Sequence, residues 1–342
     1  MKTRLKGGAK ARKVQVNLAS ATPVDGETEE QTFISAWKAA QSLFNNREHL
    51  GHRVTVDATD TLQLLDFADK AERERGIGKP FEERLEYRTS RKLSPFGSQI
   101  VLTFHGAESV NLDDTVIERF LQNLYLAMNL SVPGSCNLHR TSFLARRSPE
   151  KRNELQTQRE VWIDLSAEQL ENAYQSALRR GWPPFQRIEL AGAWEWLERN
   201  GTLALDVARE PWHRALFTML RVGSRQSQDP DVIQLCVQAI EALLGQGAPA
   251  SVVKRRVESV LGIPRTHKSW YRELHDTRSR LVHGAAPIVH PGEWLNENEA
   301  SGEIAKYFAQ SDLACAVLLC LIQKLILKTA HTFQINETVT LC

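Results

Sequence analysis

Paired cysteines are missing from this 342-residue chain. Its five (Cys136, Cys236, Cys315, Cys320, Cys342) are odd in number, scattered and free of Cys-x-x-Cys spacing, which argues against a disulfide framework and a zinc knuckle. A reducing, cytoplasmic setting fits best. No apolar segment follows the charged N-terminus, so no secretory signal is read there. The longest apolar run, Leu313 to Ile322, is too short to cross a bilayer and is followed by Gln323 and Lys324, so it predicts a buried core helix and no membrane partner. His-Glu-x-x-His is absent, the ten histidines are dispersed, and Gly76-Ile-Gly-Lys79 lacks the rest of a phosphate-binding loop, so neither metal nor cofactor is expected. No internal repeat of fixed period is visible.

A strong excess of one charge is lacking too. The formal net charge is only +2, yet Lys2, Arg4, Lys6, Lys10, Arg12 and Lys13 precede the first acid, Asp25, which leaves −4 for the remainder. Residues 1–28 read as a disordered basic tail, serving either as an electrostatic arm for nucleic acid or as a solvated end. The length favours two domains. The first, 29–200, is an expected α+β domain that senses, regulates or binds substrate. Its elements are a helix over Glu29–Asn46, weak alternation over His52–Asp57, a helical stretch from Thr61 to Arg75, and a strand over Ser98–His105. A helix after Asp114 follows, then strands over Cys136–Arg146 and Arg159–Leu165, then a helix over Ala167–Arg180. Gly181-Trp182-Pro183-Pro184 is the sharpest break, and the domain boundary is expected between Gly181 and Leu205.

From 205 to 334 the pattern is helical. Pro211 sits in a first turn where its missing N–H is harmless, and helices follow over Asp231–Leu244, Val252–Leu261, Trp270–His283 and Glu303–His331. Short links and apolar stripes predict a bundle. One helix breaks the pattern. At about 100° per residue, Tyr271, Leu274, Leu281 and Val282 share an arc, and Arg278 falls near its middle. A guanidinium on an apolar face is costly unless it has an ion partner, here Glu241, or a function. His283 follows five residues later, before the helix-stopping Gly284.

Tyr271-x6-Arg278-Ser279-x3-His283-Gly284, after Ala239-Ile-Glu-Ala-Leu-Leu244 and Lys254-Arg-Arg-Val-Glu-Ser-Val-Leu-Gly262, resembles the Apea-like group of the HEPN superfamily. The resemblance covers about Leu205 to Phe333 and leaves the first 200 residues untouched. It implies an α+β N-terminal domain followed by an all-α HEPN-type helical bundle, mainly α overall. It also implies a homodimer whose Arg-x4-His motifs face a shared cleft. The family's metal-independent endoribonucleases often act in antiphage defence or as toxins, and other members are non-catalytic dimerisation or RNA-binding modules. Carried over, Arg278 and His283 are the catalytic pair, while Glu241 lies near the cleft and Ser279 takes the polar position after the arginine. A regulatory partner or phage-derived trigger is a further expectation.

The chemistry suits RNA, which carries its own nucleophile in the 2′-hydroxyl. An imidazole, ordinarily titrating near about pH 6.5, moves a proton at cellular pH. A guanidinium binds phosphate through two parallel hydrogen bonds. Two chains could then supply a general base and a general acid. Residues five apart differ by about 140° on a helix, so Arg278 and His283 converge only through side-chain length and the helix end. Residues 251–286 hold eight Lys or Arg against three acids, which points to polyanion binding by Lys254, Arg255, Arg256 and Arg280. His275, one turn before Arg278, either extends the cleft or is structural. Asp276 and Arg280 are spaced for a surface ion pair.

Overall fold

A computed structural model describes residues 11–18, 29–66, 98–106, 114–146, 158–225, 231–245, 247–266, 268–286 and 302–334. They divide into two compact units, Met1–Ala167 and Glu168–Cys342. The remainder of the expected tail, residues 67–75 of the expected helix, and Gly76-Ile-Gly-Lys79 lie outside the described residues.

The first unit is a six-stranded antiparallel sheet in the order β2-β3-β4-β1-β5-β6. Its strands are β1 (Ala11–Leu18), β2 (Asn45–His49), β3 (His52–Asp57), β4 (Ser98–Gly106), β5 (Leu138–Arg146) and β6 (Gln158–Leu165). The expectation of a disordered basic tail is corrected here, because β1 is a central strand. It pairs with β4 from Ala11↔His105 to Leu18↔Ser98 and with β5 at Val16↔Phe143. The cause is period-two alternation: Val14, Val16 and Leu18 are buried, while Lys13 and Gln15 are exposed. A strand buried on one face outweighs its own charge.

Helices α1 (Glu29–Leu43) and α2 (Asp114–Ser131) cover the apolar face, with Phe33, Trp37, Phe120 and Leu124 buried among Val56, Ile100, Leu102 and Phe143. The helix expected to reach Asn46 stops at Leu43, because the chain turns into the β2–β3 hairpin, whose Leu50 and Gly51 both take positive φ. His49, beside that turn, packs edge-on against Phe120 at 5.3 Å. Burial first, then His52 and Arg119, lowers its pKa to about 4, so the ring stays neutral at ordinary pH. Asn129 pins the end of α2, donating to the carbonyls of Tyr125 and Cys136 at 2.9 Å and accepting from the Gly134 N–H.

Among the described residues the second unit is all helical: α3 (Glu168–Arg180), α4 (Leu190–Arg199), a 3₁₀ turn at Thr202–Ala204, α5 (Pro211–Gly223), α6 (Asp231–Leu244), α7 (Ala250–Leu261), α8 (Trp270–Val282) and α9 (Glu303–Leu327). The boundary expected between Gly181 and Leu205 falls instead at 167/168, since α3 and α4 are bonded into the bundle. Gln169 donates to Asp312 at 2.9 Å, the Trp182 indole to the Gly262 carbonyl at 2.9 Å, and the Trp196 indole to the Ala330 carbonyl at 2.8 Å. Gln323 accepts from the Gln186 N–H at 3.0 Å. The Gly181-Trp182-Pro183-Pro184 break is therefore a turn within the unit. Trp182, Trp194 and Trp196 are buried packing residues.

Helix α9 is the core, buried without interruption from Leu313 to Gln323. Residues Ile304–Leu327 are long and apolar enough to cross a membrane by length and composition, and most of that stretch is buried inside the protein. Cys136, Cys236, Cys315 and Cys320 are free and buried, and burial pushes the Cys136 and Cys320 thiols up.

Candidate functional site

Helix α8 has an anchored half and an open half. Trp270, Tyr271 and Leu274 are buried, and the Trp270 indole donates to Glu258 at 3.1 Å. Beyond Leu274 the burial fails: Leu281 is only half-buried and Val282 is 55% exposed. The expected apolar arc is thus corrected: it is buried in its first turns and open in its last. Arg278 continues the Tyr271–Leu274 face at spacings of seven and four. It leaves the core at the point where that face opens.

The opening is a cleft of about 670 Å³ between α5 and α6. Arg214, Phe217, Thr218 and Arg221 line one side and Leu235, Gln238, Ala239 and Ala242 the other, both at helical spacings of three, four and seven. Asp206, Val207, Ala208, Glu241 and Arg278 complete the wall. Arg278 Nη1 meets Glu241 Oε1 at 3.3 Å, each side chain about a quarter exposed. That partner is the one anticipated from sequence. The distance is long for a charge-assisted bond, and Arg278 Nε is buried without a hydrogen-bond partner. Three guanidinium groups against two carboxylates leave the cleft positively charged. Arg214 spends two donors on the Arg209 carbonyl, at 3.0 and 2.6 Å.

His283 is placed differently. It is the C-cap of α8 and is exposed. The Gly284 N–H reaches the Leu281 carbonyl at 3.1 Å and the Ala285 N–H the Arg280 carbonyl at 2.7 Å, a paired cap that requires the positive φ of 69° at Gly284. Neither His283 nor the half-buried Ser279 and His275 line the cleft. Within one chain, then, the cleft brings together Arg278 and Glu241 and leaves His283 outside.

The basic cluster disperses. Lys254 Nζ donates to the Lys268 carbonyl at 2.9 Å and pairs with Glu258 at 3.6 Å. Arg256 Nη1 donates to the Leu244 carbonyl at 2.6 Å, capping α6. Arg280 donates to the Ala285 carbonyl at 3.3 Å, and Arg255 is exposed. None of the four lines the cleft. Residues that sequence reasoning passed over are Arg214, Phe217 and Arg221. Their signal was available as two arginines seven apart flanking an aromatic on one face of α5.

Among the described residues no three His, Cys, Asp or Glu side chains gather as a metal cluster. No protein-family model matches the chain, and no curated protein or solved structure matches it.

Proposed function

We propose that the chain is an endoribonuclease of the HEPN type, working as a homodimer and without metal, in which Arg278 holds the scissile phosphate and His283 moves protons. The observation that carries this reading is a half-buried arginine on the wall of a positively charged cleft, with its Nε buried and unpaired. A phosphate offers that edge of the guanidinium the acceptor it lacks. Arg214 and Arg221 extend the positive wall for neighbouring phosphates, and Phe217 offers a surface for a base. Because His283 stands exposed at the end of its helix, a second copy can bring its own His283 towards the first copy's cleft. One imidazole then accepts the 2′-hydroxyl proton and the other protonates the leaving 5′-oxygen. In this reading the first unit senses a trigger, restrains the bundle or binds substrate, and an antiphage or toxin role in the cytoplasm follows from the resemblance.

A rival reading is a non-catalytic dimerisation or RNA-binding module. The Arg278–Glu241 ion pair favours it, since an arginine satisfied by a neighbour needs no substrate. Incubation of the full chain with labelled RNA in EDTA separates the two. Cleavage products ending in a 2′,3′-cyclic phosphate are expected, with cutting reduced by roughly a hundredfold or more in His283→Ala and Arg278→Ala forms that stay folded and dimeric. Intact RNA with the wild type, or undiminished cutting by either variant, overturns catalysis.

A further inference from the structure

Two buried polar atoms beside the cleft have no hydrogen-bond partner: Arg278 Nε and the Tyr271 hydroxyl. Tyr271 lies seven residues before Arg278, on the same face of α8, and a helical side chain leans back towards the turn before it. Arg278 therefore leans back along the face that Tyr271 occupies. The hydroxyl feels both members of the ion pair: burial raises its pKa most, Glu241 raises it further, Arg278 lowers it, and the result is about 12. At working pH it is a proton donor, and the Glu241 carboxylate, whose charge it feels, is a natural acceptor. That carboxylate is held at Arg278 by a single contact at 3.3 Å, and in that position it makes no bond to the Tyr271 hydroxyl. Three groups thus share too few good bonds, and leaving buried donors unmade is costly.

A phosphate in the cleft resolves the mismatch. We propose that Glu241 is a movable counter-ion which an incoming phosphate displaces from Arg278, and that Tyr271 is the positioning residue that receives it, its hydroxyl donating to the released carboxylate. With the ligand bound, Arg278 presents its Nε and Nη donors to phosphate oxygens, and both atoms unpaired in the free protein acquire partners. Glu241 also holds the site shut against weak anions, because a ligand must out-compete a carboxylate already in place. This rests on the reading of Arg278 as a phosphate ligand, and it holds whether or not the phosphodiester is cut.

The test is a double-mutant cycle on the full chain with Tyr271→Phe, Glu241→Gln and both together. The probes are a 2′-O-methyl single-stranded oligonucleotide, which lacks the nucleophile, and inorganic phosphate. Tyr271→Phe removes only an unpaired hydroxyl, so the thermal midpoint is expected to hold or rise, while affinity for the oligonucleotide falls roughly tenfold, the worth of one hydrogen bond to a charged group. Glu241→Gln, which removes the competing charge, tightens binding. When Glu241→Gln is already in place, adding Tyr271→Phe changes affinity less than about twofold, since no carboxylate remains to be received. Equal losses with and without Glu241→Gln make Tyr271 merely structural and overturn the proposal, as does unchanged binding by Tyr271→Phe or a wild type that binds neither probe. Coupling seen with phosphate alone keeps the exchange and removes RNA from the site. Coupling with the oligonucleotide beside uncut natural RNA keeps it and removes the nuclease.

Discussion

Two sets of cations stand on the helical unit, and they differ in what holds them. Lys254, Arg255 and Arg256 are consecutive on α7, the densest run of positive charge in the bundle. Two of the three are committed to the protein itself, Lys254 to the Lys268 carbonyl and Glu258, and Arg256 to the Leu244 carbonyl. Arg214 and Arg221, two turns apart on α5, and Arg278, from α8, converge on one cleft. Of these, Arg278 keeps a buried donor unpaired, and the Arg221 side chain has no bond among the described residues. Charge density along a chain measures solvation; convergence in space makes a site. A polyanion gains where guanidinium groups already face one cavity and keep donors to spare.

The strongest way to sharpen this contrast is at Gly245. Its φ is +137°, and an added Cβ would lie 2.0 Å from Arg256 Nη1. Gly245→Ala is therefore expected to lower stability by roughly 2–4 kcal/mol, through backbone strain and displacement of the guanidinium that caps α6. The last turn of α6 begins at Glu241, whose carbonyl accepts from the Gly245 N–H at 2.9 Å, so the same change loosens the counter-ion of Arg278. Chemical denaturation checks it. An unchanged midpoint would mean that Arg256 is not structural and belongs with the free cations.

Arg221→Ala is the next largest effect and addresses the other set. Affinity for single-stranded RNA is expected to fall roughly three- to tenfold, and the slope of log affinity against log salt to become shallower by about 0.7, the signature of one lost phosphate contact. Stability should move by less than about 0.5 kcal/mol, because the residue is exposed at the rim of the cleft. A salt titration by fluorescence anisotropy reads both quantities. A slope equal to that of the wild type would remove the cleft from the path of the RNA.

The same contrast explains what could be read from the sequence. The helices of the bundle were legible because their apolar residues repeat on one face, and the Arg278–Glu241 pair because an arginine on such a face needs an anion. Strand β1 is hidden by its charges: Arg12 and Lys13 read as tail, while Val14, Val16 and Leu18 give only three apolar positions in alternation. The boundary is not legible because Gly181-Trp182-Pro183-Pro184 marks a turn, and a turn does not say whether the helices on its two sides share a core. Only the bonds from Trp182, Gln186 and Trp196 settle that. The α5 side of the cleft escaped notice because Arg214, Phe217 and Arg221 look like an ordinary exposed helix face until α6 is placed beside it. Position along one helix is a local property, and a cleft is a property of two.

The smallest expected effect is also the most direct challenge to the local-charge reading. Arg255 is the exposed member of the α7 run and does not line the cleft, so Arg255→Ala should leave stability within about 0.5 kcal/mol and change RNA affinity less than twofold at about 0.15 M salt. There the Debye length is about 8 Å, and an exposed charge away from the bound phosphates is screened. At about 0.01 M salt the screening length grows to about 30 Å, and the same variant should show a clear loss, because every cation on the face then contributes to the field that draws RNA in. A loss as large as that of Arg221→Ala at the higher salt would place RNA on the outer face of α7, and would return the site to the residues that composition alone pointed to.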